Sequence, residues 1–299
     1  MKPYHPLLFS LLIACGSADT PLVEVNQNDY YQTIKNWQSA RHRSLTSSSS
    51  WLSLAGLFWL KEGKNTFGSA ATNTITFPEK APEFIGSFTL KNGAVTMKIG
   101  KDIPVKVGID EPKEILLKSD QEAETTEVNL GTLNWYLIQR EDRFAIRLKD
   151  AENPAIQSFG TLDYFPIQEK WKVPAKLKKT DATQTVTLRN VVDMDVAMQL
   201  EGYLTFEING RQYELEAMDG GPDLYFVIFS DGTTGIDTYG AGRYLYVPRV
   251  DETGDTFIDF NKTYNPPCVF TDFATCPLPS QKNSLELSIR AGELVYKKE

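Results

Sequence analysis

The residues best suited to chemistry gather toward the C-terminal end. From Asp231 the chain reads DGTTGIDTYGAGRYLYVP, and from Asp259 it reads DFNKTYNPPCVFTDFATCPLP. Glycine and asparagine supply positive φ, proline fixes φ, and polar side chains are dense, a mixture that builds an irregular, tightly held surface rather than a regular ladder. Arg243 follows Tyr239-Gly240-Ala241-Gly242. Small residues there allow close backbone approach, and a guanidinium grips a carboxylate or phosphate at two points. The structural alternative for Arg243 is an internal ion pair with Asp237, Asp259 or Glu293. Tyr239, Asn261, Tyr264 and Asn265 would complete a ligand-binding surface with Arg243. The asparagines can read a sugar or an amide, or they can close their own loop as Asx turns. Asp237, Asp259 and Glu293 are also the candidates for an acid–base pair, because two carboxylates suffice for glycoside hydrolysis.

Other mechanisms lack their residues. The chain has two histidines, and His5 lies in the N-terminal apolar segment, so His42 alone could serve as the base of a Ser-His-Asp triad. It stands between Arg41 and Arg43, on what reads as the polar side of a helix. Zinc in a structural site takes four Cys or His ligands, and the acidic spacing of an EF-hand is missing from Asp231-Gly232-Thr233-Thr234-Gly235. No metal and no cofactor are expected. Cys268 and Cys276 either pair, as cysteines do in an oxidising compartment, or remain as two small buried hydrophobes. With 31 Lys plus Arg against 39 Asp plus Glu and no basic cluster, nucleic acid is excluded as a partner, since phosphate neutralisation supplies most of that affinity.

These residues must be positioned by β structure. Residues 1–14 hold an apolar run too short to span a bilayer. The run ends Leu12-Ile13-Ala14-Cys15, which looks like a bacterial lipobox with Cys15 as the lipid acceptor. The membrane, through that anchor, is the expected partner, and the cell envelope is the expected location. Residues 15–28 read as a tether. Asn28 or Asp29 caps a helix to about Leu45, with Tyr30, Ile34, Trp37 and Leu45 on one face and Lys35, Arg41 and Arg43 opposite. Residues 29–60 are taken together as an N-terminal helical segment whose end, WLSLAGLFWL, must be buried. Residues 61–150 then carry short strands broken by turns, the pattern of a sandwich or barrel. A connection rich in proline leads to a second β domain over 175–299. Asn92-Gly93 and Asn209-Gly210 signal type I′ hairpins, and the tail from Ser284 to Tyr296 could close a last one. The fold class is mainly β, a helix followed by a sandwich-like or barrel-like body.

One succession of motifs is similar to a bacterial family known only as domain of unknown function 1684. The motifs are Arg43 with Leu45, WLSLAGLFWLKEGKNTFGS from Trp51, IGSFTL from Ile85, TYGAGRYLY from Thr238, the run from Asp259 to Pro279, and Ala291-Gly292-Glu293. The resemblance implies positions and no activity. The expectation is therefore a lipoprotein that binds a small acidic or sugar-like ligand on the 237–276 surface. The alternatives are a carboxylate-dependent, histidine-independent hydrolase and an envelope interaction module.

Overall fold

The structure, a computed structural model, describes residues 27–181 and 184–297. The expected leader, the lipid acceptor Cys15 and nearly all of the tether lie outside the described residues. The body is mainly β, as the spacing of the turns implies.

The first half contributes β1 (Leu54–Trp59), β2 (Gly63–Gly68), β3 (Ile75–Thr76), β4 (Gly86–Lys91), β5 (Ala94–Ile99), β6 (Lys106–Val107), β7 (Glu114–Leu116), β8 (Val128–Leu130), β9 (Leu133–Arg140) and β10 (Arg143–Asp150). They form two five-stranded sheets, β1-β10-β9-β8-β6 and β3-β2-β4-β5-β7. Asn92-Gly93 turns β4 into β5 with φ of 51° and 76°, the positive values a type I′ turn demands. Phe67, Phe88, Met97, Trp135, Ile146 and Leu148 share one core. Strand side chains alternate between faces, so Phe144, Ile146 and Leu148 enter that core while Ala145 and Arg147 face away. Both of the latter are nevertheless buried, because the second half covers this outer face.

The second half contributes β11 (Lys172–Lys179), β12 (Thr185–Arg189), β13 (Asp195–Ile208), β14 (Arg211–Asp219), β15 (Leu224–Phe229), β16 (Arg243–Pro248) and β17 (Asp255–Asp259). Six of them form the order β16-β15-β14-β13-β11-β17, with β12 added on β13. The two end strands β16 and β17 approach each other, so the sheet curls almost into a barrel. Its interior holds Leu204, Phe206, Leu215, Val227, Leu245, Val247 and Phe260. A bulge decides what lies outside. Leu200 pairs with Met218 but Gly202 pairs with Ala217, leaving Glu201 as an extra residue that switches the faces of β13. Leu204 and Phe206 therefore point inward, while Met198, Met218, Phe226, Ile228 and Tyr244 pack on the outer face with Leu54 of the first half.

Three expectations need correction. The helix α1 (Gln27–Leu45) ends where it was expected to, but residues 54–59 are strand β1, paired with β10. A continuous apolar run carries no period to separate strand from helix, and its burial is partial: Trp51 is exposed and Leu57–Trp59 are half-buried. Arg41 is not on the solvent side: it stands four residues from both Trp37 and Leu45, on the stripe that faces the second half. The tail forms no hairpin. Its groups pair with other segments instead, as in Gly232 N to Leu287 O (2.8 Å), Glu293 N to Thr263 O (2.9 Å) and Leu294 N to Asp163 O (2.9 Å).

Candidate functional site

Where the outer face of β10 meets the outer faces of β13, β15 and β16, a cavity of about 390 Å3 opens. Its apolar wall is Val196, Met198, Phe226, Tyr244 and Tyr246; Arg140 and Arg147 form the opposite wall. Arg41, Tyr264 and the segment Ala274–Pro277 close it. Strand alternation selects these side chains. On β16, Leu245 and Val247 fill the barrel while Tyr244 and Tyr246 face the cavity.

The three arginines differ in their partners. Arg140 donates from Nη1 to Asp120 Oδ2 (2.8 Å). Arg41 donates from Nε to Glu293 Oε1 (3.0 Å) and from Nη2 to Asn265 O (3.0 Å). Arg147 is only 4% exposed, yet among the described residues it meets no carboxylate. Its Nη2 reaches Thr275 Oγ1 (3.3 Å), and its Nε is buried without a partner. Thr275 Oγ1 also accepts from Arg140 Nε (3.2 Å). With both lone pairs turned to guanidiniums, its hydroxyl proton is left to donate. Thr275 is held in place by the adjoining disulfide between Cys268 and Cys276, whose Cα atoms are 6.2 Å apart.

The aromatic side is ordered as well. The Arg41 guanidinium lies over the Tyr264 ring at 4.6 Å, and Tyr264 stacks on Tyr246 with centroids 6.1 Å apart and planes 17° from parallel. Tyr244 donates from its hydroxyl to Pro277 O (2.9 Å). Burial, reinforced by neighbouring phenols, pushes Tyr244 and Tyr264 above the ordinary tyrosine range, so both rings stay neutral at physiological pH.

Of the residues singled out in the sequence as ligand-binding or catalytic, Tyr264 alone lines this cavity, and of the two cysteines Cys276 does. Arg243 is 0% exposed. It donates to Asp231 Oδ2 (3.3 Å), Ile289 O (3.0 Å), Thr263 Oγ1 (3.1 Å) and Ala291 O. It is an internal clamp on the tail, and its acid is Asp231 rather than Asp237, Asp259 or Glu293. Gly242 permits this: at φ 86° a Cβ there would sit 2.6 Å from Phe229 O. Asn261 bonds Tyr30 Oη (2.9 Å) and Gln168 O (2.9 Å). Asn265 donates to Glu293 Oε2 from its backbone N (2.7 Å) and to Leu294 O from Nδ2 (2.7 Å). Tyr239 packs beside Val269 and Phe270.

The three candidate carboxylates are engaged separately. Asp259 accepts from Tyr30 Oη (2.8 Å), Glu293 is buried against Arg41 and Asn265, and Asp237 meets Arg290 at the surface (3.2 Å). None lines the cavity, so the acid–base pair is not assembled there. His42 rests against the Phe159 ring at 5.5 Å.

Sequence reasoning missed Arg147, Arg140 and Thr275. The available signal was Arg147 itself, a charge within Phe144-Ala145-Ile146-Arg147-Leu148, where the other out-facing residue is alanine. Alternating Tyr244 and Tyr246 against Leu245 and Val247 was a second.

Comparison with known proteins supplies a family match over part of the chain and no activity. Residues 157–294 match the family described as protein of unknown function (DUF1684). No curated protein matches the chain. Among solved structures it is similar to an uncharacterised protein of Haloarcula marismortui determined by NMR in solution, at 30% identity over 46% of this chain and 78% of that one, with a TM-score of 0.39.

Proposed function

We propose that this chain, which matches the DUF1684 family over residues 157–294, is a binding protein for a small organic acid held in the cavity between its two β halves. The observation that carries this reading is Arg147. Burying a cation costs several kcal/mol unless a partner repays it, and the described residues provide Arg147 with one hydroxyl. A ligand carboxylate between Arg147 and the Thr275 hydroxyl supplies what is missing. The cavity has the size and mostly apolar lining, with a few convergent polar groups, typical of small-molecule sites. The lipobox-like Leu12-Ile13-Ala14-Cys15 and the Cys268–Cys276 bond support a location in the cell envelope, where disulfides persist.

The test is a melting-temperature screen of the protein and of Arg147→Gln against organic acids, neutral sugars and amines. A native-state ligand at a hundredfold excess over Kd stabilises by about 2.7 kcal/mol. Acids are expected to raise the melting point of the wild type and to leave Arg147→Gln unmoved. Stabilisation by sugars alone, or by acids equally in both proteins, would reject the assignment.

A further inference from the structure

Charge counting narrows the ligand class. Three guanidiniums line the cavity, and two already have a carboxylate: Arg140 has Asp120 at 2.8 Å and Arg41 has Glu293 at 3.0 Å. Among the described residues no carboxylate lines the cavity itself. One positive charge, on Arg147, is left over among the described residues. The Tyr244 and Tyr264 phenols, held up in pKa by burial, do not offset it. A group with a single negative charge closes the balance. A phosphate dianion overshoots it, leaving a surplus negative charge in a site walled by Met198, Phe226 and Tyr244, where desolvation penalises net charge.

The remaining surface describes the rest of the ligand. Opposite the arginines the wall is aromatic and aliphatic, and Tyr246, 46% exposed, stands stacked on Tyr264. Flat aromatic bodies gain most from such a wall. Resting on the acid-binding reading above, we propose that the site takes a monocarboxylate with a flat, apolar body, its carboxylate between Arg147 and Thr275 and its ring toward Tyr246 and Phe226, and that it discriminates against phosphate esters.

Four probes separate these elements in calorimetric titrations at pH 8. They are 3-phenylpropionate, its neutral isostere 3-phenylpropanol, phenyl phosphate (a dianion at that pH) and propionate, which lacks a ring. We expect 3-phenylpropionate to bind at least tenfold more tightly than each of the other three. In Arg147→Gln its advantage over 3-phenylpropanol should vanish. In Tyr246→Ala, at a half-exposed site, its advantage over propionate should shrink several-fold. Phenyl phosphate binding as tightly as the carboxylate, with the same dependence on Arg147, would overturn the monoanion assignment while leaving the acid-binding reading intact. Propionate binding as tightly as 3-phenylpropionate would overturn the aromatic half. Absence of binding by all three acids, or binding that ignores Arg147→Gln, would overturn both this inference and the reading it rests on.

Discussion

Arg243 and Arg147 are both buried and play opposite parts. Arg243 sits inside the barrel and gives its protons to one carboxylate, one hydroxyl and two backbone carbonyls. Arg147 sits between the two β halves and gives one proton to a hydroxyl that Arg140 also uses; Nε is unpaired in both arginines. Burial alone therefore does not identify a binding arginine; the set of partners does. A buried charge paired with a carboxylate and backbone carbonyls holds the fold together, while one that meets only a hydroxyl and borders a cavity is poised for a ligand.

The sharpest way to break this contrast is to remove Arg243. Arg243→Ala strands Asp231, which also accepts from Ile289 N (2.6 Å), and frees the carbonyls that anchor the tail. Losing one member of a buried pair costs on the order of 3–5 kcal/mol. Denaturant midpoints should fall accordingly or the protein should fail to fold; an unchanged midpoint would mean the clamp is not structural.

Opening the disulfide comes next. Cys268→Ser with Cys276→Ser releases a loop of sequence separation 8, and the chain-entropy model places the loss at about 2.5 kcal/mol. Because Thr275 adjoins the bond and receives both Arg140 and Arg147, ligand stabilisation should weaken beyond the general loss. Equal binding in the reduced and oxidised forms would show that Thr275 needs no such support.

Arg147→Met should then behave opposite to Arg243→Ala. Replacing a poorly partnered buried cation with an apolar chain of similar volume is neutral or stabilising by about 1–4 kcal/mol. Thermal unfolding should show an unchanged or higher midpoint together with loss of the response to acids. A large destabilisation would place Arg147 in the same class as Arg243.

How much of this was legible follows the same divide. Local signals were readable: the Asn92-Gly93 and Asn209-Gly210 turns need only their own backbone, and most strands declare themselves by residue type. The stripe Tyr30, Ile34, Trp37, Arg41, Leu45 was readable too, had Arg41 been counted by position rather than by charge. The identity of the cavity wall was not, because it depends on which outer faces meet. A strand such as Phe144–Leu148 looks like an ordinary half-solvated strand until the second half covers it, and the face presented by β13 depends on a bulge at Glu201 that no local motif announces. Arg243 illustrates the converse error: Gly-rich sequence around an arginine marks close approach, and here the approaching group is the chain's own tail.

The smallest effect tests whether partnered and unpartnered charges also differ in their response to acid. Burial tends to raise the Asp150 carboxyl, but the Lys80 ammonium (2.9 Å), the Glu152 N–H and the Thr132 hydroxyl together hold it below its ordinary value of 3.8. A carboxyl depressed in the folded state contributes stability that is fully present above the unfolded value and is lost as pH falls through the folded one. In the wild type this contribution should therefore fade below about pH 4. Lys80→Met removes its main support, so the mutant should differ from wild type at neutral pH and converge with it in acid. Arg147→Met should show no such convergence, since no described carboxylate pairs with that side chain. Urea midpoints across pH 3 to 7 read both outcomes; a wild-type-to-Arg147→Met difference that closes in acid would expose a hidden carboxylate partner and dissolve the distinction between the two arginines.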